Sequence, residues 1–371
     1  MATTKSAKLE LWVYKGTFGN KNPSKPDYTI TKTKLPDVID SNNNIKPSKI
    51  LFEIGELIKD YIDVSFDGDY ATVDQTVWVE WTITKTLSDS TEEITTGSGL
   101  GLNGYGYFGD LINPQLSYGA LQSNTIMYVK TGDQPFIPMF AGGNGIFKVD
   151  YYNGTTLLNT LTVGNSVTFI TADTTDYRAD TTDLTADVTM IRNASSKGTV
   201  GVASYTGNPS RVVLTDINNV ATNIIVNYID ECKYTPYRVS FLNKFGVVQP
   251  IYFFKRRNDY IDVKNEAYYR NTVDDSKTAL LYSPNDSTKR LFDINGNKRI
   301  KMNTGYVDEQ YNEVIQQLLM TDRAWIRDDD GVEYPILPVT KSMQYKTSVN
   351  DKLIDFTIDF EYAYNEINLV R

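Results

Sequence analysis

Residues 237–257 read Tyr237-Arg-Val-Ser-Phe-Leu-Asn-Lys-Phe-Gly-Val-Val-Gln-Pro-Ile-Tyr-Phe-Phe-Lys-Arg-Arg257, and this stretch decides the fold class. Two β-rich runs, 238–242 and 247–254, flank Asn-Lys-Phe-Gly at 243–246, where Gly246 supplies the positive φ of a tight hairpin turn. Val239 and Phe241 share one face of the first run. In the second, Ile251 and Phe253 point one way while Tyr252 and Phe254 point the other. A strand apolar on both faces must be covered on both, by core or by a neighbouring subunit. Pro250 has no N–H and indicates a bulge or an edge position. Lys255, Arg256 and Arg257 then return the chain to solvent. The stretch is the central hairpin of a β-rich structural protein rather than a catalytic loop.

Downstream, 278–282 and 289–302 have β character, and the second is expected to turn at Asn295-Gly296. Residues 308–320 form an amphipathic helix, with Tyr311, Val314, Ile315, Leu318 and Leu319 at i, i+3, i+4, i+7 and i+8, and Asp308 and Glu309 favourably placed at its start. The runs 324–327 and 332–339 flank Asp328-Asp329-Asp330-Gly331, a hairpin turn sequence. Ile354, Phe356, Ile358, Phe360 and Tyr362 alternate with Asp355, Thr357, Asp359 and Glu361, which describes a closing strand with one apolar and one acidic face.

Upstream, 8–14 is a first strand, and 16–49, rich in Asn, Pro, Lys and Gly, is a long surface loop or arm. A second amphipathic helix is predicted over 49–62, with Ile50, Leu51, Ile54, Leu57, Ile58 and Ile62 on one face and Ser48 as N-cap. Val77, Val79, Trp81 and Ile83 alternate with polar partners in a half-buried strand. The glycine-rich segment 97–109 contains Gly99, Gly101 and Gly104 in the spacing GxGxxG. A dinucleotide site needs a strand before it and a helix after it. Here Tyr105, Tyr107 and Phe108 follow without helical periodicity, so the segment is expected to be an aromatic-glycine loop that packs on a neighbour. Residues 146–152 and 155–163 flank Asn153-Gly154, a favoured type I′ pair. Asp173, Asp176, Asp180 and Asp183 lie in a repeated Ala-Asp-Thr-Thr-Asp block. Its oxygens suit Ca²⁺ in kind, but it has neither EF-hand spacing nor a loop glycine, and a solvated acidic loop is the simpler expectation. Strands are also expected at 188–191, 211–214 and 223–228.

Composition narrows function. The 371 residues contain no histidine and one cysteine, Cys232. Ser-His-Asp and Cys-His chemistry in their usual forms are therefore excluded, as are the common zinc sites and any internal disulfide. No Walker loop or nucleophile elbow occurs. A glycan hydrolase built on two carboxylates stays open in principle, but nothing singles out a pair. No run approaches the roughly 18–20 apolar residues of a membrane span, and the first residues lack the apolar core of a Sec signal. A net charge of −9 opposes tight binding to duplex DNA. The basic cluster 255–257 is expected to pair with a neighbour's carboxylates. The 26 tyrosines suit both protein contacts and β-sheets.

The order of elements carries a resemblance. Leu51-Phe-Glu-Ile-Gly-Glu-Leu-Ile-Lys-Asp-Tyr-Ile62, the 237–246 hairpin with its aromatic strand, the helix ending Leu318-Leu319 before Trp325-Ile326, and the closing 352–371 strand together resemble virion neck and tail proteins of tailed phages infecting Bacteroidota, crAss-like phages included. The segment from about Gly97 to Ala221 carries none of it. The resemblance implies a non-enzymatic structural protein without cofactors, made in the host cytoplasm and built into the virion. It implies a homo-oligomeric ring, in contact with other neck and tail proteins, through which DNA passes without specific binding. An acidic subunit fits such passage, because a basic lining would grip phosphates. The competing class is a carbohydrate-binding or adhesin-type β-sandwich at a tail tip or fibre.

The expected fold is thus mainly β, with antiparallel β-sandwich-type domains, two amphipathic helices and long loops. It divides into an N-terminal β domain (1–96), a β-rich middle region (97–235) and a C-terminal β domain (236–371). Candidate subunit contacts are Gly99, Tyr105, Tyr107, Phe108, Tyr252, Phe254, Arg256 and Arg257. Candidate lumen acids are Asp173, Asp176, Asp180 and Asp183, with the Asp355/Asp359/Glu361 face beside them.

Overall fold

The computed structural model describes residues 4–15, 26–35, 50, 52–70, 76–107, 120–141, 146–162, 169–172, 189–196, 199–216, 218–274, 281–282, 285, 287–347 and 354–367. The chain is mainly β, with antiparallel or mixed sheets and two short helices. Strands β1 (Thr4–Lys15), β2 (Tyr28–Lys34), β3 (Thr76–Leu87) and β4 (Glu92–Leu102) begin the first sheet. Strands β5 (Ile126–Lys130), β6 (Ile137–Ala141), β7 (Ile146–Asn153) and β8 (Thr156–Thr162) begin the second. The chain then returns to the first sheet through β9 (Phe169–Ala172) and β10 (Thr189–Ser196), where β10 pairs antiparallel with β4. Strands β11 (Thr199–Ala203), β12 (Arg211–Asp216) and β13 (Ala221–Ile229) complete the second sheet, which is mixed because β13 runs parallel to β5.

The third sheet uses β14 (Tyr237–Leu242), β15 (Val248–Phe253) and β16 (Asn258–Tyr269). After the short pair β17 (Val273–Asp274) and β18 (Leu281–Tyr282) it adds β19 (Lys289–Asn303), β20 (Ala324–Arg327), β21 (Glu333–Pro338) and β22 (Thr357–Tyr362). Its order is β15-β14-β20-β21-β22-β19-β16. Helix α1 (Ile54–Ile58) leads into a 3₁₀ turn at Lys59–Tyr61, and helix α2 (Tyr311–Met320) precedes β20.

Four sequence expectations need correction. The helix foreseen over 49–62 shrinks to α1 and its 3₁₀ turn. Its flanks are extended, and the buried Ile50, Phe52 and Ile54, then Ile62, Val64 and Phe66, repeat every second residue. Two period-2 runs around one helical turn imitate a 3.6-residue stripe. The 16–49 loop contains a strand, β2, which pairs with β1 from Ala7↔Lys34 to Val13↔Tyr28. The start of the glycine-rich segment is not a loop but the end of β4, where Gly97 lies opposite Trp81 and Gly99 opposite Val79. A Cβ on Gly97 would sit 2.3 Å from the Trp81 indole, and one on Gly101 would sit 2.5 Å from Ile58 Cδ1 of α1. Those glycines clear space for a fully buried tryptophan and for the helix. Finally, 289–302 does not turn at Asn295-Gly296. It runs through as β19, with a bulge where the register steps from Lys264↔Asn295 to Glu266↔Phe292 and Asp293 adopts φ +49°.

The central hairpin joins the sheets. Its turn forms as expected, with Gly246 at φ +75° and Asn243 Oδ1 accepting the N–H groups of Phe245 and Val247. Val239, Phe241, Ile251 and Phe253 pack into the core between the third sheet and α2, alongside Val314, Leu318 and Phe360. Leu242 and Val248 enter the core of the first sheet with Leu9, Val79 and Trp81. Tyr252 and Phe254 enter the core of the second sheet with Val149, Tyr151 and Ile224. Pro250 sits on β15, an edge strand, where its missing N–H removes no ladder bond that the sheet needs.

Candidate assembly surface

β16 is the outermost strand of the third sheet, and among the described residues it pairs with β19 alone. β19 pairs with β22 only over Arg299–Asn303, while its pairing with β16 continues back to Lys289. Residues 263–269 and 289–296 therefore leave the sheet as a two-stranded ribbon, here called the arm. Its seven β16 residues, 263–269, extend about 23 Å at ~3.3 Å per residue. At its root the C-terminal segment holds the arm: the Glu366 N–H donates to the Gly296 carbonyl at 2.8 Å, and Lys298 pairs with Glu366 at 3.0 Å.

Strand alternation sorts the arm's side chains. Ile261, Val263, Asn265, Ala267 and Tyr269 share one face, joined by Leu291, the register partner of Ala267, so that Asn265 is the one polar break in the row on β16. Gly296 closes this face at the root, and a Cβ there would sit 3.2 Å from Ile261 Cδ1. On the opposite face Tyr268 meets Phe292 edge-on at 5.8 Å, and Asp262 pairs with Arg299 at 2.9 Å. The apolar stripe is open to water: Ile261 is 57% exposed, Val263 55%, Leu291 52% and Tyr269 76%. Single exposed apolar residues are ordinary on protein surfaces, whereas a contiguous row of them marks a contact surface. A two-stranded ribbon alone in water is marginally stable, which also calls for a cover.

The residues singled out in the sequence fall elsewhere. Tyr252 and Phe254 are buried against the chain's own second sheet, so core rather than another subunit covers that face of β15. The Tyr252 hydroxyl donates to Asp133 at 2.9 Å, and burial together with that carboxylate pushes its pKa up. Tyr105 and Tyr107 stack edge-on at 5.9 Å beside the hairpin turn, where the Tyr105 N–H donates to the Lys244 carbonyl and Lys244 Nζ lies 4.9 Å from the Tyr107 ring centre. They too pack on the chain itself. Gly99 is a buried β4 residue. Phe108 and the acids Asp173, Asp176, Asp180 and Asp183 lie outside the described residues.

Two residues of the basic cluster, Lys255 and Arg257, are paired within the chain. Lys255 bonds Glu231 at 2.7 Å, and Arg257 bonds Asp259 at 2.6 Å and Asp328 at 3.0 Å. Burial works against the charge of Arg257, but these carboxylates outweigh it and its pKa rises. Arg256 is exposed. The acidic face of β22 is compensated as well, with Asp359 3.5 Å from Lys301 and Asp355 3.0 Å from Lys346.

Two features escaped sequence reasoning. One is the arm itself. Its signal was present in the β-formers of Tyr260-Ile-Asp-Val and Tyr268-Tyr269, but exposed residues on both faces give no clean alternation. The other is a buried ion pair, Arg238–Glu333 at 2.7 Å, with the two side chains 6% and 2% exposed. Arg238 also lies over the rings of Tyr70 (5.4 Å) and Phe136 (5.5 Å), and the Tyr70 hydroxyl meets Ser240 Oγ at 2.6 Å. Two strands of the third sheet, the turn residue Tyr70 and Phe136, just ahead of β6, converge there. A polar cleft of about 340 Å³ opens beside it, lined in part by Lys130, Asp133, Arg238, Tyr252 and Asp328. Arg238, Asp133, Tyr252 and Asp328 are each tied to a protein partner, so these side chains brace the junction. Among the described residues no three His, Cys, Asp or Glu side chains are grouped to hold a metal, and no helix is long and apolar enough to cross a membrane.

Comparison of the chain with protein-family models, curated proteins and solved structures finds no match.

Proposed function

We propose that this chain is a structural subunit of a tailed-phage virion, forming with copies of itself a ring in the neck or tail through which DNA passes. The observation that carries the assembly part is the arm, a two-stranded ribbon that leaves its sheet with an uncovered apolar stripe. Its phage assignment rests on the sequence resemblance. A body tied together by one hairpin shared among three cores suits a part that must hold shape under load. The net charge of −9 suits passage of DNA without retention.

The test is the native mass of the purified chain between about 1 and 100 μM, followed by electron microscopy of whatever assembles. A closed ring of more than two copies is the expected outcome. A monomer over that whole range, particularly one with glycan affinity, would favour the adhesin class instead. Tight duplex binding at physiological salt would overturn the conduit.

A further inference from the structure

The arm has two possible covers in a homo-oligomer: the arm of another copy, or its body. Resting on the assembly proposal above, we propose that the arm of one copy lies in a groove on the body of the next, so that copies join head to tail.

Area decides first. A ribbon about 23 Å long and two strands, roughly 10 Å, wide offers about 230 Å² per face. Two arms meeting face to face would bury about 460 Å² in total, well inside the range of incidental contacts. An arm covered on both faces buries about 460 Å² on its own side and as much on the body, about 900 Å² in total, which is above most incidental contacts. Both faces have something to bury: Ile261, Val263, Leu291 and Tyr269 on one, Tyr268 and Phe292 on the other.

Charge points the same way. Residues 258–303 carry eight lysines and arginines against seven acids, a net of +1, so the rest of the chain carries −10 of the total −9. Arm on body brings unlike net charges together, while arm on arm does not. Lys289 and Arg290, both exposed on the projecting part, are the cations placed to meet the acidic body. An arm-on-body contact is heterologous, and heterologous contacts close into rings when the rotation allows, whereas a mutual arm contact stops at a two-fold dimer.

The test uses the triple variant Ile261→Thr, Val263→Thr, Leu291→Thr, which replaces exposed residues with a polar strand-former and leaves the body unaltered. The variant should unfold like the wild type and associate roughly 100-fold more weakly with itself. Labelled at Cys232, the exposed single cysteine, it should co-sediment with unlabelled wild type, because its body still accepts a wild-type arm. It should also shorten the wild-type assemblies by capping one end. A second variant, Lys289→Glu with Arg290→Glu, should weaken assembly most at low salt. If the wild type assembles and the triple variant assembles equally well, the arm is not the contact, although the ring proposal stands. If the variant is monomeric and the wild type ignores it, arms meet arms and the head-to-tail mode is overturned. A wild type monomeric at 100 μM removes the ring proposal and this one with it.

Discussion

Replacing Gly246 with alanine tests whether the central hairpin is locked from outside as well as by its own turn. Gly246 has φ +75°, where an L residue costs about 1–2 kcal/mol. An added Cβ would also lie 2.6 Å from the Asn103 carbonyl carbon and 2.7 Å from the nitrogens of Asn103 and Gly104. Those are backbone atoms at the end of β4, so the clash cannot be relieved by turning a side chain. Overpacking of this kind adds about 1–3 kcal/mol. The total, about 2–5 kcal/mol, is a large share of a typical stability of 5–15 kcal/mol. Gly154 supplies the control: its φ is +59°, and an added Cβ would have nothing within 4 Å. Gly154→Ala should therefore cost only the conformational part, about 1–2 kcal/mol. Urea unfolding followed by tryptophan fluorescence should separate the two variants by about 1–3 kcal/mol. Equal losses would refute the claim that the hairpin turn is pressed against the first sheet.

Other expectations follow from the same geometry. Gly97→Ala should displace the Trp81 indole and cost about 1–3 kcal/mol, read as a shift in tryptophan emission; unchanged emission and stability would contradict the packing of β4 on Trp81. Glu333→Leu leaves Arg238 buried without its counter-charge and should cost about 3–5 kcal/mol, much of it recovered by adding Arg238→Met; a double-mutant cycle measured by urea midpoint checks this. Stability should vary little between about pH 5 and 9, since the chain has no histidine. Below that window Asp355 matters: the Asn303 amide and Lys346 hold its pKa below the usual carboxylate range, so its contribution is present above about pH 4 and lost as pH falls through the lowered value. Above the window, burial pushes the hydroxyls of Tyr70 and Tyr151 up to about 12, so their stabilisation is complete below pH ~10 and lost as pH rises towards 12. A melting-temperature step between pH 6 and 7 would contradict the assignment.

Much of the fold was legible because apolar alternation is a strong signal wherever one face is buried. Val77–Ile83 and the closing run 354–362 are of this kind, as is the helical spacing of Tyr311–Leu319, while the hairpin at Asn153-Gly154 was legible from its turn pair. The signal failed where side chains were absent or unsorted. β4 presents glycines because Trp81 fills the space opposite, so the strand has almost no hydrophobic pattern to read. β16 is exposed on both faces, and without a buried side alternation has nothing to report. The candidate contacts failed for another reason. Tyr252, Phe254 and Arg257 do mark a meeting of layers, but a sequence does not say whether the second layer comes from the same chain. Here it does, and the exposed apolar stripe lies instead on β16 and β19, which composition alone would have called unremarkable polar strand.

The shared core also sets a timetable. Leu242, Val248 and finally Trp325 complete the core of the first sheet, yet Trp325 follows the end of β4 at Leu102 by 223 residues. At 5–20 residues per second of synthesis, the first sheet waits roughly 11–45 s for its last apolar piece. Until then Leu9, Val79 and Trp81 face a seat that nothing yet fills, and the second sheet likewise awaits Tyr252 and Phe254. Slowing translation between residues 103 and 325 should therefore lengthen the exposure of those faces to aggregation rather than help the chain fold.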